Sequence, residues 1–140
     1  MKSRRFPLLL SGIIFGFSLF LPPFALKGNS AFNIGFVLLV FGWGYEHVAW
    51  YANLLYAASF ITYGTVRKTW FPAIVSGLAL ALGWTAMSIK EIPHDEGTMK
   101  PVVVTHMNWG FYFWLLSMLI ILCAAAIDTL SRETPASDTV

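Results

Sequence analysis

A single cysteine, Cys123, excludes an intrachain disulfide and a CxxC redox pair. Charge is nearly as scarce. Charged side chains make up 11% of the 140 residues and hydrophobic ones 57%, whereas a soluble domain carries about 25% charged residues. A chain this short has too small an interior to hide that much apolar surface. The net charge of +2 is scattered, with no like-charge block longer than Arg4–Arg5 or Arg67–Lys68, which argues against a nucleic-acid surface. There is no P-loop, no GxSxG, no HExxH and no internal repeat.

The missing charges are concentrated. Stretches 6–26, 48–66, 69–89 and 101–127 hold no Asp, Glu, Lys or Arg. Each is long enough to cross the roughly 30 Å hydrocarbon core of a bilayer as a helix of about 20 residues. Lipid offers no partner to backbone N–H and C=O groups, so such segments must be helical. The expected fold is an all-α four-helix transmembrane bundle in one domain, with spans near 6–26, 48–66, 69–89 and 107–128. Outer loops would cover 27–47 and 90–106, and a disordered tail 129–140.

Orientation follows from Lys and Arg, which favour the cytoplasmic side. With the N-terminus inside, six basic residues (Lys2, Arg4, Arg5, Arg67, Lys68, Arg132) are internal and three (Lys27, Lys90, Lys100) external. A fifth span, made by dividing the chain at Glu46–His47, weakens that bias and exports Arg67 and Lys68. Four spans with both termini cytoplasmic fit better. The basic start followed by an apolar run resembles a secretory signal, but the run is long and lacks a clear small-x-small site, so a retained anchor is expected.

Along the chain, Gly12 and Gly16 form a GxxxG spacing that would admit a close neighbouring helix. Pro22–Pro23 should stop the first helix. Residues 31–41 read as an outer, interfacial helix, set apart from the second span by Gly42 and Gly44. Gly77 and Gly83 mark a close-packed face of the third span, and Asn53 and Asn108 are candidates for hydrogen bonds between helices. Trp43, Tyr45, Trp50, Tyr51, Trp109, Tyr112 and Trp114 would form an outer aromatic belt, with Tyr63 and Trp70 at the inner boundary.

Chemistry is left to the outer face. Its carboxylates are Glu46, Glu91, Asp95 and Glu96, and all three histidines, His47, His94 and His106, fall on that side with Lys90. Pro93 and Pro101 stiffen the 90–106 loop, which reads as a recognition surface for a partner. The same imidazoles and carboxylates suit Zn²⁺ or Cu²⁺, or a haem, without the spacing of a known metal motif. No cofactor and no catalytic residue is expected. Transporters and proton relays keep ionisable residues at mid-membrane, and the spans have none there.

Three segments resemble a group of small bacterial inner-membrane proteins: Trp50-Tyr51-Ala52-Asn53, then Lys90-Glu91-Ile92-Pro93 with Glu96-Gly97, then the aromatic-glycine run Trp109 to Ser117. The likeness covers 50–117 and departs at Leu54, where proline is frequent in that group. It implies four helices, an acidic outer loop and location in the bacterial inner membrane, with no activity attached. Together these features point to a non-enzymatic protein that works through helix packing and outer-loop recognition, as an accessory subunit or an immunity-type protector. Its partners would be lipids plus another protein or a second copy, and no nucleic acid. The alternatives are a metal- or haem-handling protein using the outer histidines, or an oligomeric channel or transporter.

Overall fold

A computed structural model describes residues 4–27, 33–45, 47–66, 68, 70–92 and 102–133. In chain order it contains α1 (Arg5–Leu19), β1 (Phe24–Leu26), α2 (Gly35–Phe41), α3 (Tyr51–Thr65), α4 (Trp70–Trp84), β2 (Glu91–Ile92), β3 (Val102–Met107) and α5 (Trp109–Glu133). Short 3₁₀ turns follow α2 (Gly42–Tyr45), precede α3 (Val48–Trp50) and extend α4 (Thr85–Ser88). The protein is mostly helical. α5 packs between α1 and α4, and α3 packs chiefly on α4.

What the bundle buries is unusual for a water-soluble core. Its interior is striped with small and hydroxyl side chains: Ser11 and Ser18 on α1, Ala52 and Ser59 on α3, Ser76, Ala79 and Gly83 on α4, and Ser117 and Ala125 on α5. Their spacing of three, four, seven or eight keeps each set on one helix face. Phe111, Leu115, Met118 and Ile121 of α5 complete the interior, while many other large apolar side chains point outward, among them Phe6, Ile13, Phe17, Leu54, Ile74 and Leu130. Small residues let helix backbones approach, which is how helices associate when the surroundings are as apolar as the core.

The buried hydroxyls bond between helices. Ser11 donates to the Ser117 carbonyl at 2.8 Å and lies 2.7 Å from the Tyr56 hydroxyl. Serine has one proton to give, so Tyr56 must be the donor to Ser11. This knot joins α1, α3 and α5, and Phe15 stacks on the Tyr56 ring at 4.8 Å. Ser76 ties α4 to α5 by donating to the Met118 carbonyl at 2.9 Å. Ser11→Ala is expected to destabilise the folded protein by about 1 kcal/mol, since two contacts are lost and such bonds average about 0.6 kcal/mol each. A detergent-titrated unfolding curve would show it, and no shift would mean the knot contributes nothing.

Two helical stretches, Trp70–Ser88 (19 residues) and Trp109–Arg132 (24 residues), are long and apolar enough to cross a membrane. α1 is apolar but shorter, at 15 residues. It stops at Leu19 although the charge-free stretch runs to Leu26. The amides of Phe20 and Leu21 turn back to Phe17 and Ser18, because residues before a proline are biased out of the helical region.

The connections after α1 and after α4 differ from the all-α expectation. β1, β3 and β2 form an antiparallel sheet in that order. β3 is built from the β-branched run Val102-Val103-Val104-Thr105, which suits a pleated backbone better than a loop. Its pairing with β1 slips between Ala25 and Leu26. The extra residue is Thr105, whose hydroxyl donates to the Ala25 carbonyl at 2.8 Å. At the other end of the chain α5 continues past Asp128, where a disordered tail was expected. The hydroxyls of Thr129 and Ser131 donate back to the Ala125 and Ile127 carbonyls, and Arg132 sits in the last turn, where a cation complements the helix dipole.

Candidate functional site

The sheet gathers the connections after α1 and after α4 over one end of the bundle. α2 is fastened beside it by backbone contacts. The Gly35 amide donates to the Leu21 carbonyl at 3.1 Å, and the Trp50 indole donates to the Leu39 carbonyl at 2.9 Å. Asn33 brackets Phe24, accepting from its amide and donating to its carbonyl. The start of α5 joins the same assembly through the Asn108 amide, which donates to the Pro23 carbonyl at 2.9 Å.

Beneath α2 lies a half-open cavity of about 110 Å³, lined by the ends of α1, α3 and α5 and by residues of β1 and β2. Its wall is almost wholly apolar, with Phe24, Leu39, Phe111 and Ile92 among the contributors. Trp50 and Trp114 form the aromatic sides, and both indole N–H groups are already used. Trp114 donates to Asn53 Oδ1 at 2.8 Å, and Asn53 in turn donates to the Trp50 carbonyl at 3.1 Å. The rings are thus held in place. His47 is the remaining polar contributor of note, and the described residues make no hydrogen bond to its ring.

The residues singled out from sequence scatter over this end. His47 lines the cavity. Lys90 contributes backbone, its carbonyl accepting from the Val104 amide at 2.8 Å. Glu91 is exposed on β2 opposite Val103, and His106 is exposed on β3 opposite Ala25, with its Nδ1 3.3 Å from the Thr105 hydroxyl. Glu46, His94, Asp95 and Glu96 lie outside the described residues. Among the described residues no group of three or more His, Cys, Asp or Glu is placed to hold a metal ion.

The packing candidates separate clearly. Asn53 links α3 to α5 through Trp114. Asn108 instead serves its own segment, its Oδ1 taking the Trp109 amide at 2.8 Å. A Cβ on Gly83 would sit 2.9 Å from Leu115, and one on Gly12 would sit 3.6 Å from the Phe60 ring. Gly77 has only an ordinary contact to Leu122, and Gly16 faces open space, so the GxxxG pair is not a close interface within the chain. The two glycines tightest against backbone, Gly35 and Gly110, were not among the packing candidates and stand at the capped end.

The opposite end holds a charged cluster that sequence reading used only for orientation. Arg4 Nε is 3.3 Å from Asp128 Oδ2, and the Tyr63 hydroxyl donates to the same oxygen at 3.2 Å. Arg4 Nη1 donates to the carbonyls of Tyr63 and Val66 at 3.0 and 2.8 Å, which satisfies acceptors left over at the end of α3. The guanidinium also sits 5.3 Å from the Tyr63 ring centre. Tyr63 was expected to anchor the inner membrane boundary, but it is only 1% exposed and belongs to this cluster.

A scan against protein-family models and searches of curated proteins and of solved structures find no match to this chain.

Proposed function

We propose that the protein is an integral membrane protein of four spans, α1, α3, α4 and α5, with both termini cytoplasmic and the sheet on the outer side. It acts without catalysis, by recognition at the sheet-capped end, as an accessory subunit or an immunity-type protector. The observation that carries this reading is the inverted distribution of side chains. Only 28% and 39% of the two long apolar stretches is buried within the chain, whereas a core helix of a soluble domain this size would be mostly covered. Lipid is the natural covering for the outward Phe, Leu and Ile side chains. The two ends also differ in kind. One carries Arg4, Arg5, Lys68 and Arg132, as expected on the cytoplasmic side, while the other carries a sheet that makes a shaped surface of two separate connections.

Site-directed labelling tests the topology. With Cys123, which is exposed on α5, replaced by alanine, single cysteines would be placed at His106 and Lys68. A membrane-impermeant maleimide should label the first on intact cells and the second only after lysis; labelling of Lys68→Cys on intact cells would overturn the orientation. Recognition is tested by replacing residues 90–96 with a Gly/Ser linker. A cross-linked partner or second copy seen with the parent protein should be lost, and its retention would remove this surface from the proposal.

A further inference from the structure

We propose that the cavity beneath α2 is a binding site for an uncharged six-membered ring bearing a hydrogen-bonding oxygen, the chemistry shared by quinone head groups and phenols. Size sets the first limit. A cavity of about 110 Å³ approaches the roughly 150 Å³ apolar cavity that takes up benzene, so its size suits a single ring. Charge sets the second. Among the described residues no Asp, Glu, Lys or Arg lines it, and an ion brought there would lose hydration without gaining a counter-charge from them.

The walls favour a flat ring. Trp50, Phe111 and Trp114 present aromatic faces and edges, and the Phe111 and Trp114 rings lie 6.0 Å apart. Aromatic pairs at such distances gain about 0.5–1.5 kcal/mol beyond burial. Both tryptophans are locked by their indole hydrogen bonds, so ordering them costs little on binding. The polar provision is small and specific. Asn53 has two amide hydrogens and uses one on Trp50, and His47 brings an imidazole whose ring nitrogens donate or accept a hydrogen bond according to its tautomer. An oxygen on the ring would meet one of these groups. The inference stands apart from partner recognition: the site lies inside the cap and uses none of the exposed residues of the sheet.

The test uses full-length protein in detergent, with 4-fluorophenol, tetramethyl-1,4-benzoquinone and fluorobenzene as probes. Binding is read by ¹⁹F line broadening for the fluorinated rings and by tryptophan quenching for the quinone, each against empty micelles. Saturable binding of the phenol or the quinone, at least about fivefold tighter than fluorobenzene, is expected for one added hydrogen bond. Tighter quinone binding identifies a ring that accepts a hydrogen bond, and tighter phenol binding one that donates. Ala86→Leu fills the cavity and should abolish saturation, with Ala49→Leu as a second filling variant should the first fail to fold by circular dichroism. His47→Leu should reduce the oxygen-bearing probe to the affinity of fluorobenzene. Non-saturable signals, equal binding of all three rings, or full binding by a folded cavity-filled variant would overturn the proposal.

Discussion

Asp128→Ala is expected to lower the unfolding free energy by about 2–3 kcal/mol, several times the effect of Ser11→Ala. Removing one partner of a buried ion pair costs roughly 3–5 kcal/mol because the other charge is stranded. Arg4 and Asp128 side chains are each 22% exposed, so some solvation remains and the cost falls to the bottom of that range or just below it. Arg4 is already under-satisfied, with Nη2 buried and lacking a partner, and loss of the carboxylate would release Nε as well. Tyr63 would lose its acceptor at the same time.

The double variant Arg4→Ala/Asp128→Ala should cost less than the sum of the single changes, because residues within one network couple by about 0.5–3 kcal/mol. Arg4→Lys should rescue little. An ammonium keeps the charge but lacks the planar fork that reaches Asp128 and the two α3 carbonyls together. Denaturant unfolding of the four proteins in one detergent supplies the comparison. Additive effects would show that the cluster is three independent contacts and not a clamp on the ends of α1, α3 and α5.

The helical bundle is legible in sequence because one physical signal dominates it: long stretches without ionisable groups. The stop after Leu19 is legible too, since Pro22–Pro23 act through local sterics. The sheet is not, because β3 is as apolar as the helix that follows it. Its only marker is the β-branched run at 102–105, and hydropathy does not distinguish strand from helix there. The Arg4–Asp128 contact joins residues far apart in sequence. Helix order places both at the same end of the bundle, and opposite charge makes them natural partners, but neither fact specifies the pairing. His47 and Asn53 were singled out from residue type alone. What brings them to one cavity is the return of α2 over the bundle end, which no local pattern encodes.

The sharpest contrast between motif and geometry lies in the glycines, and it yields the second large expected effect. Gly35→Ala and Gly110→Ala should each cost about 3 kcal/mol or more, although neither belongs to a GxxxG or other helix-packing motif. A Cβ on Gly35 would lie 2.6 Å from the Ser18 carbonyl oxygen, and one on Gly110 would lie 2.8 and 2.9 Å from those of Leu21 and Pro22. These neighbours are backbone, so no rotamer change relieves the overlap. Overpacking costs typically 1–3 kcal/mol even where side chains can move aside. Gly83→Ala meets the end of Leu115 at 2.9 Å, a flexible neighbour, and should cost nearer 1 kcal/mol. Gly16→Ala meets nothing within 4 Å and should be neutral or stabilising by up to about 1 kcal/mol, as alanine is the better helix former. Thermal midpoints of the four variants in one detergent would rank them. Gly35 and Gly110 hold α2 and α5 against the segment joining α1 to β1, so their variants should also loosen the cap over the cavity. Destabilisation by Gly16→Ala equal to theirs would mean that Gly16 packs against a second copy of the chain, and that the tight contacts at the capped end are not what limits stability.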